Sequence, residues 1–593
     1  MGIRTAHPRP RRALLPTALV ATAACLALSQ APAASPPVPA GPPPPAAGTP
    51  DLGPDVTVFD PSMPRAAVQR EVDAVFRRQE RDEFGTGRRA LLFKPGAYDV
   101  DVGVGYYTQV AGLGLAPDDV TVKGAVHAEA DWFQGNATRN FWRAAENLSV
   151  TPASGADRWA VSQAAPYRRM HVRGDLALDD GGWSSGGLIA DSRIDGQVRS
   201  GTQQQWLSRD SAFGGWSGAV WNMVFVGVRN APPGTYPRPP HTRIDRTPAV
   251  REKPFLHIDR AGGYHVFVPA LRRNTRGTTW DGGARGPGTS RPIGRFFVVR
   301  PGTGAARVEA ELARGKDLLI TPGIHRLDRT LRVTRPGTVV LGLGLATLVP
   351  PPGRPALTVA DVDGVRIAGL LVDAGPAGSP ALMEIGPPGA ARRHGADPVS
   401  LHDVFFRVGG AGAGKAARSL VVNSSDVIGD NLWLWRADHG RGVGWSVNTA
   451  AEGLVVNGDG VTVYGLFVEH YQRHQTLWNG DDGRTYFFQN ELPYDPPGQA
   501  AWRDGTRDGY PAYKVAPSVT RHEAWGLGSY CNFEADPGVT ADRAFEVPRA
   551  PGVRLRHLVT VSLGGQGTIR HVVNGTGGPS DARTGVAHLT AYP

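Results

Sequence analysis

VTVYGLFVE at residues 461–469 has two counterparts in the chain, VRIAGLLVD at 365–373 and VIGDNLWLW at 427–435. The stretches at 427–435 and 461–469 are each preceded by a matching leader, Leu420-Val421-Val422-Asn423 and Leu454-Val455-Val456-Asn457. Short apolar runs of this kind, separated by Gly, Asn and Asp and with few helical patterns, predict strands stacked as coils of a right-handed parallel β-helix. Asn423 and Asn457 then occupy turn positions, where side-chain amides bond from coil to coil. A β-propeller needs four-stranded blades at even spacing along the whole chain, and that spacing is absent.

A longer period surrounds the short one. Ala66-Ala67-Val68-Gln69-Arg70-Glu71-Val72 opens an amphipathic helix with Val68, Val72, Val75 and Phe76 on one face. After Gly85-Thr86-Gly87 come the strand Ala90–Phe93, the turn Pro95-Gly96-Ala97-Tyr98 and Val110-Ala111-Gly112-Leu113-Gly114-Leu115. The same order recurs as Ala306–Leu312, Gly315, Leu318-Leu319-Ile320, Pro322-Gly323-Ile324-His325 and Val340-Leu341-Gly342-Leu343-Gly344-Leu345. The offset of roughly 230 residues is far longer than a solenoid repeat and points to a duplicated domain. The Gly-Leu-Gly elements are not nucleotide loops, since the third glycine and the following helix are missing. The reading is all-β, with two tandem parallel β-helix lobes at 56–295 and 296–593, each opened by a short helix.

The chain has 593 residues and a formal net charge of +10. Arg4, Arg9, Arg11 and Arg12 precede the apolar run Ala13–Leu28 and the small-residue site Ala31-Pro32-Ala33. Residues 1–33 therefore read as a secretory signal peptide, too short and Ala-rich for a membrane span. Residues 34–55, rich in Pro, Ala and Gly, read as an extended linker. Arg11-Arg12 matches a twin-arginine signal weakly, and Cys25 lacks the aliphatic residue expected before a lipidated cysteine. No other stretch is long and apolar enough to span a bilayer, so a soluble, extracellular protein is expected. With the signal removed, Cys531 is the single cysteine and no intramolecular disulfide can form. The arginines are scattered, without the aromatic–basic interleaving that tracks a phosphate backbone, which argues against a nucleic-acid partner.

The chemistry is expected in Val468–Pro496. Glu469 closes the apolar run Tyr464–Val468; Glu491 follows Thr485-Tyr486-Phe487-Phe488 and precedes Leu492-Pro493, which ends the strand. A carboxylate at a strand exit among aromatic rings is partly desolvated, which raises its pKa toward the range a general acid needs. Spacing alone favours the plainer reading of both as solvated rim residues or salt-bridge partners. Asp438, His439, His470 and His474 lack the spacing of a metal site, and Asp481-Asp482-Gly483 lacks the remaining ligands of a calcium loop. Ser208 and Ser529 sit in no nucleophile elbow. Neither a metal nor a cofactor is expected.

The chain resembles the tandem β-helix exo-β-1,3-glucanases of glycoside hydrolase family 55, with a pectin-lyase-like fold. The resemblance rests on the duplicated opening and on Gly201-Thr202-Gln203-Gln204-Gln205-Trp206, Val220–Phe225, Trp433–His439, Val468-Glu469-His470 and Trp478-Asn479-Gly480 through Glu491-Leu492-Pro493-Tyr494-Asp495. The Pro-Gly turn departs between the copies, Tyr98 against His325. The resemblance implies inverting release of sugar from the non-reducing end of β-1,3-glucan. It places the general acid on Glu491, a site-organising glutamate on Glu469, and pocket aromatics on Trp435 and Tyr494. It also implies that first-lobe amides hold the attacking water. Gln203 and Gln205 are chosen there because alternate strand residues share a face, with a ladder of amides between coils as the other reading of that run. Trp433 and Trp435 share a face too, and burial in the core is the other reading of them. An inverting enzyme needs an acid on one side of the bond and a water on the other, which a site between two lobes supplies. The expected partner is a polysaccharide and the expected state a monomer. The rival readings are a calcium-dependent polysaccharide lyase on a similar scaffold and a non-catalytic carbohydrate-binding β-helix.

Overall fold

The computed structural model describes residues 49–281 and 286–593. The predicted signal peptide, and the linker as far as residue 48, lie outside the described residues. Strands dominate, in two stacks of parallel coils. In the first, a ladder climbs from Val56–Phe59 through Arg89–Phe93, Thr108–Gly112, Arg143–Pro152, Pro166–Val172, Leu188–Ala190, Gln205–Arg209 and Asn222–Val226 to His241–Ile244. In the second, it runs from Phe296–Val299 through Ile428–Arg436, Thr462–Glu469, Gly483–Glu491 and Arg521–Cys531 to Gly552–Ser562, and the antiparallel strand Val586–Tyr592 closes it. A nine-stranded parallel sheet, Leu331–Val333 to Thr568–Val573, forms another wall of the second stack. This is an all-β, pectate-lyase-like parallel β-helix.

The predicted repeat corresponds to one coil per unit. Gly369, Asn431 and Gly465, the fifth residue of each quoted stretch, all have φ between +64° and +69°. From the strand Arg366–Asp373 to Gly552–Ser562 the register skips a residue at this point in each parallel pair: Ala368 faces His402 and Leu370 faces Val404, with Gly369 and Asp403 bulged between. Asp403, Phe487, Gly526 and His557 continue the left-handed line. Only Gly takes this conformation without strain, and Asn and Asp tolerate it. The bulge therefore accounts for the Gly/Asn punctuation inside otherwise apolar strands. The predicted amide ladder is also present. Asn479 donates to Asn457 at 2.8 Å, Asn457 to Asn423 at 2.7 Å, and Asn423 to the Gly386 carbonyl at 2.9 Å.

The helices Arg65–Gln79 and Ala305–Ala313 each seal one stack. Val68, Val72 and Val75 enter the first interior, and Ala305, Val308 and Leu312 the second. Phe76 is half-buried. The duplicated Pro-Gly turns match in conformation, Gly96 at φ +143° and Gly323 at +144°. A Cβ at either would lie 2.7 Å or less from Pro61 or Pro301, so packing and backbone both demand glycine. Cys531 is free and buried, and burial pushes its thiol up to about 12.

Side chains pointing out of the two stacks meet in a third core. Leu188, Leu207, Val224 and Val226 pack with Phe405, Trp433, Trp435, Tyr464, Phe467 and Phe487. Beside it lies a buried ionic cluster. Arg168 donates to Asp403 at 2.8–3.0 Å and to Asp430 at 2.8 Å. Arg209 holds Asp430 at 3.0–3.1 Å and Glu252 at 2.7–2.8 Å. Burial alone favours a neutral Asp430, but Arg168 and Arg209 override it and hold the carboxyl well below the usual range. Replacing Asp430 with Ala leaves both guanidiniums short of a buried counter-charge. It is expected to destabilise the protein by about 3–5 kcal/mol, read as a fall in the urea midpoint.

Candidate active site

Parallel stacking puts the same strand position of successive coils side by side. Trp435 pairs with Glu469, Glu469 with Glu491, and Glu491 with Tyr530. With strands about 4.8 Å apart, this row sets two carboxylates on adjacent rungs beside a tryptophan. They face a cavity of about 340 Å³ between the stacks, lined from the second stack by Trp433, Trp435, Asp438, His439, His470 and Tyr494 as well as both glutamates. Phe141, Gln163, Ser185 and Gln204 line it from the first.

The two carboxylates differ in their partners. Glu469 is buried and both its oxygens are taken: Oε1 accepts from Gln163 Nε2 and Oε2 from Trp433 Nε1, each at 2.8 Å. Glu491 keeps 15% of its side chain exposed. One oxygen accepts the Tyr494 hydroxyl and lies 4.0 Å from His470 Nε2. Burial drives Glu469 well above the ordinary carboxylate range, and the Glu491 charge adds to the effect. Burial also raises Glu491, against the opposing pull of His470 and the Tyr494 hydroxyl.

A polar chain runs back from Glu491 into the first stack. His470 Nε2 lies 3.7 Å from Asp438, Asp438 is 3.0 Å from His439 Nδ1, and His439 Nε2 meets Glu83 at 2.5 Å. Arg139 pairs with the other Glu83 oxygen. Burial opposes the charge on His439, but the bonds to Asp438 and Glu83 outweigh it and raise its pKa to about 9. Burial opposes the charge on Asp438 too, and His470 and His439 hold its carboxyl well below the usual range. Arg436 clamps Asp495 at 2.7 and 2.8 Å, fixing the loop that leaves Glu491.

Glu491, Glu469, Trp435 and Tyr494 thus lie together. Trp433 and Trp435 satisfy both earlier readings, since they are almost fully buried and also wall the cavity. Gln203 and Gln205 do not line it. Gln203 spends its amide inside the coil, accepting from Gly186 N and donating to the Val161 and Leu178 carbonyls, each at 2.8 Å. Gln205 is fully buried and donates to the Ser185 carbonyl. The shared-face assumption fails because the regular strand starts only at Gln205, so Gln203 and Gln204 belong to the preceding turn. Gln204 is the member of the run that reaches the cavity.

The residues absent from the sequence reading are Gln163 and Ser185. Ser185 Oγ bonds Gln163 Oε1 at 3.3 Å and Ser162 Oγ at 2.9 Å, so a hydroxyl, an amide and Glu469 form one chain. Both sit in irregular turns with no repeat to mark them. Among the described residues, no group of three or more His, Cys, Asp or Glu side chains is arranged to hold a metal ion, and no helix is long and apolar enough to cross a membrane.

Residues 296–491 match the model of the LAM55 pectate lyase-like domain. The chain is 53% identical over 547 residues to an exo-beta-1,3-glucanase of Streptomyces sp. (strain SirexAA-E / ActE), covering 92% of this chain and 90% of that protein. The solved structure of sacteLam55A from Streptomyces sp. SirexAA-E superposes with a TM-score of 0.90, at 53% identity, over 92% of this chain and 100% of that one. A second structure of that protein, an alanine variant of one glutamate in complex with glucose, also gives 0.90, at 53% identity over 92% and 99% of the two chains. With identity and coverage at this level over both β-helical stacks, the chain belongs to glycoside hydrolase family 55.

Proposed function

We propose that the protein is an exported, monomeric, exo-acting hydrolase of β-1,3-glucan that inverts the anomeric centre, with Glu491 as general acid. The relative's exo-β-1,3-glucanase activity and the glucose held by its variant support the substrate class. One observation carries the assignment of roles. Glu469 has both oxygens occupied, whereas Glu491, on the next rung, has one oxygen with no partner among the described residues and an edge open to the cavity.

In this reading Glu491 protonates the glycosidic oxygen as the C1–O bond breaks. Its raised pKa keeps the proton in place until then. A water on the opposite face of the sugar is held by the Ser185 hydroxyl and the Gln163 amide. As it attacks C1, its proton passes along that chain to Glu469, which two N–H donors hold as the ionised member of the pair and which gains its proton as Glu491 gives one up. Trp433 and Trp435 offer apolar faces to the pyranose ring. The division at residues 56–295 and 296–593 is proposed on the same grounds, with the first lobe supplying the water and the second the acid.

Glu491→Gln is expected to lower kcat on soluble β-1,3-glucan by about 10²–10⁴-fold while leaving the urea midpoint unchanged. An undiminished kcat refutes the acid assignment. The rate needs protonated Glu491, so kcat/KM of the wild type is expected to fall as pH rises through a value above the ordinary 4.5 of a glutamate. Gln163→Ala is expected to lower kcat with little loss of stability. Gln203→Ala is expected to do the reverse, since its bonds lie within the coil. The raised pKa of His439 means that its contribution to stability is complete below pH 6.5 and lost as pH rises through about 9. The urea midpoints of wild type and His439→Gln should therefore differ at neutral pH and converge above pH 9.

A further inference from the structure

A second concavity, of about 350 Å³, opens on the second stack at the other end of the strands that carry the site. Arg484 is the second residue of the strand Gly483–Glu491 that ends in the acidic site, which puts Arg484 and Glu491 roughly 20 Å apart along it. The register sets Arg484, Glu523 and Arg554 on three successive rungs, with Tyr486, Trp525 and Arg556 on the same three rungs two residues further along. Arg521 and Asp482 complete one rim.

Four guanidiniums therefore face two carboxylates, and both carboxylates are already engaged. Asp482 receives two bonds from Arg521, at 2.5 and 2.6 Å. Glu523 accepts the Trp525 indole N–H at 2.6 Å. Among the described residues, Arg484, Arg554 and Arg556 enter no ion pair. Arg484 and Arg556 are half-buried, where a guanidinium has lost part of its water, and among the described residues no carboxylate lies within ion-pair distance of either.

The aromatic side chains here do not suit a neutral sugar. The Arg556 guanidinium lies 5.3 Å over the Trp525 ring, His557 meets that ring edge-on, and Tyr486 is stacked on Tyr464 at 5.2 Å. What the groove offers is four guanidiniums, Arg484, Arg521, Arg554 and Arg556, spread over three neighbouring strands, planar forks of the kind that pair with carboxylates. We propose that this groove binds a carboxylate-bearing polysaccharide, a polyuronate, independently of the catalytic cavity.

The test uses the full chain and sodium polygalacturonate as probe, with Kd measured by calorimetry at low and at high salt. The variants are Arg554→Glu, Arg484→Gln and, as a charge-matched change elsewhere on the second stack, Arg329→Glu. The expected result is salt-sensitive binding, weakened at least tenfold by Arg554→Glu and by Arg484→Gln and unchanged by Arg329→Glu. Melting temperature and the rate on soluble β-1,3-glucan should stay as in the wild type for all three. The proposal is overturned by absence of binding, by equal weakening in Arg329→Glu, or by a neutral β-1,3-glucan displacing the polyuronate from the groove. Because Arg554 is exposed, its variant remains informative if the Arg484 change disturbs the fold.

Discussion

The two stacks are held in place by charges that have no water to fall back on. Arg168 and Arg209 reach from the first stack to Asp403 and Asp430 on the second, and every member of that group is buried. Lys253 and Glu252 extend it from the segment between the stacks. Paired guanidinium–carboxylate geometry tolerates little sliding. A shift of one rung would separate buried charges from their partners at a cost of several kcal/mol each. Apolar packing alone, as between Leu207 and Phe467, would allow neighbouring registers. The ionic cluster selects one.

That single register makes the site. The row Trp435, Glu469, Glu491, Tyr530 follows from strand stacking, yet stacking alone gives two equivalent glutamates. The difference between them comes from partners. Gln163, which lies on the first stack, and Trp433 saturate Glu469, while the loop after Glu491 supplies only Tyr494. The first stack reaches the Glu491 side as well, since Glu83 fixes His439, and through Asp438 and His470 the polar chain arrives beside Glu491. Each half is thus incomplete as a site. The pairing of halves turns two like side chains into a held carboxylate and a free one.

The sequence disclosed what depends on neighbours in the chain. Coil strands, the Gly/Asn punctuation, the helix that follows the first strand of each stack and the matched Pro-Gly turns all have local causes in φ, apolar spacing and turn chemistry. Glu469 and Glu491 were visible because each stands at a strand exit, and their roles came with the family strings around them. Gln203 and Gln205 show where this stops. Alternation is a property of regular strand, and the Gln run begins one element too early for it to apply. Gln163 and Ser185 carried no signal at all. The bond from Gln163 to Glu469 spans 306 residues and exists only once the stacks are docked. The ionic cluster was hidden for the same reason, since its arginines and aspartates look like scattered charge in a chain of net +10.

The central claim is that acid and water act from opposite faces of the sugar, one from each stack. The configuration of the sugar at the moment of release reports this directly. Proton NMR of wild-type protein acting on a soluble β-1,3-glucan, recorded before mutarotation equilibrates the anomers, should show the α-anomer first. An initial β-anomer would contradict the account. It would mean that a carboxylate, rather than water held by Ser185 and Gln163, attacks C1.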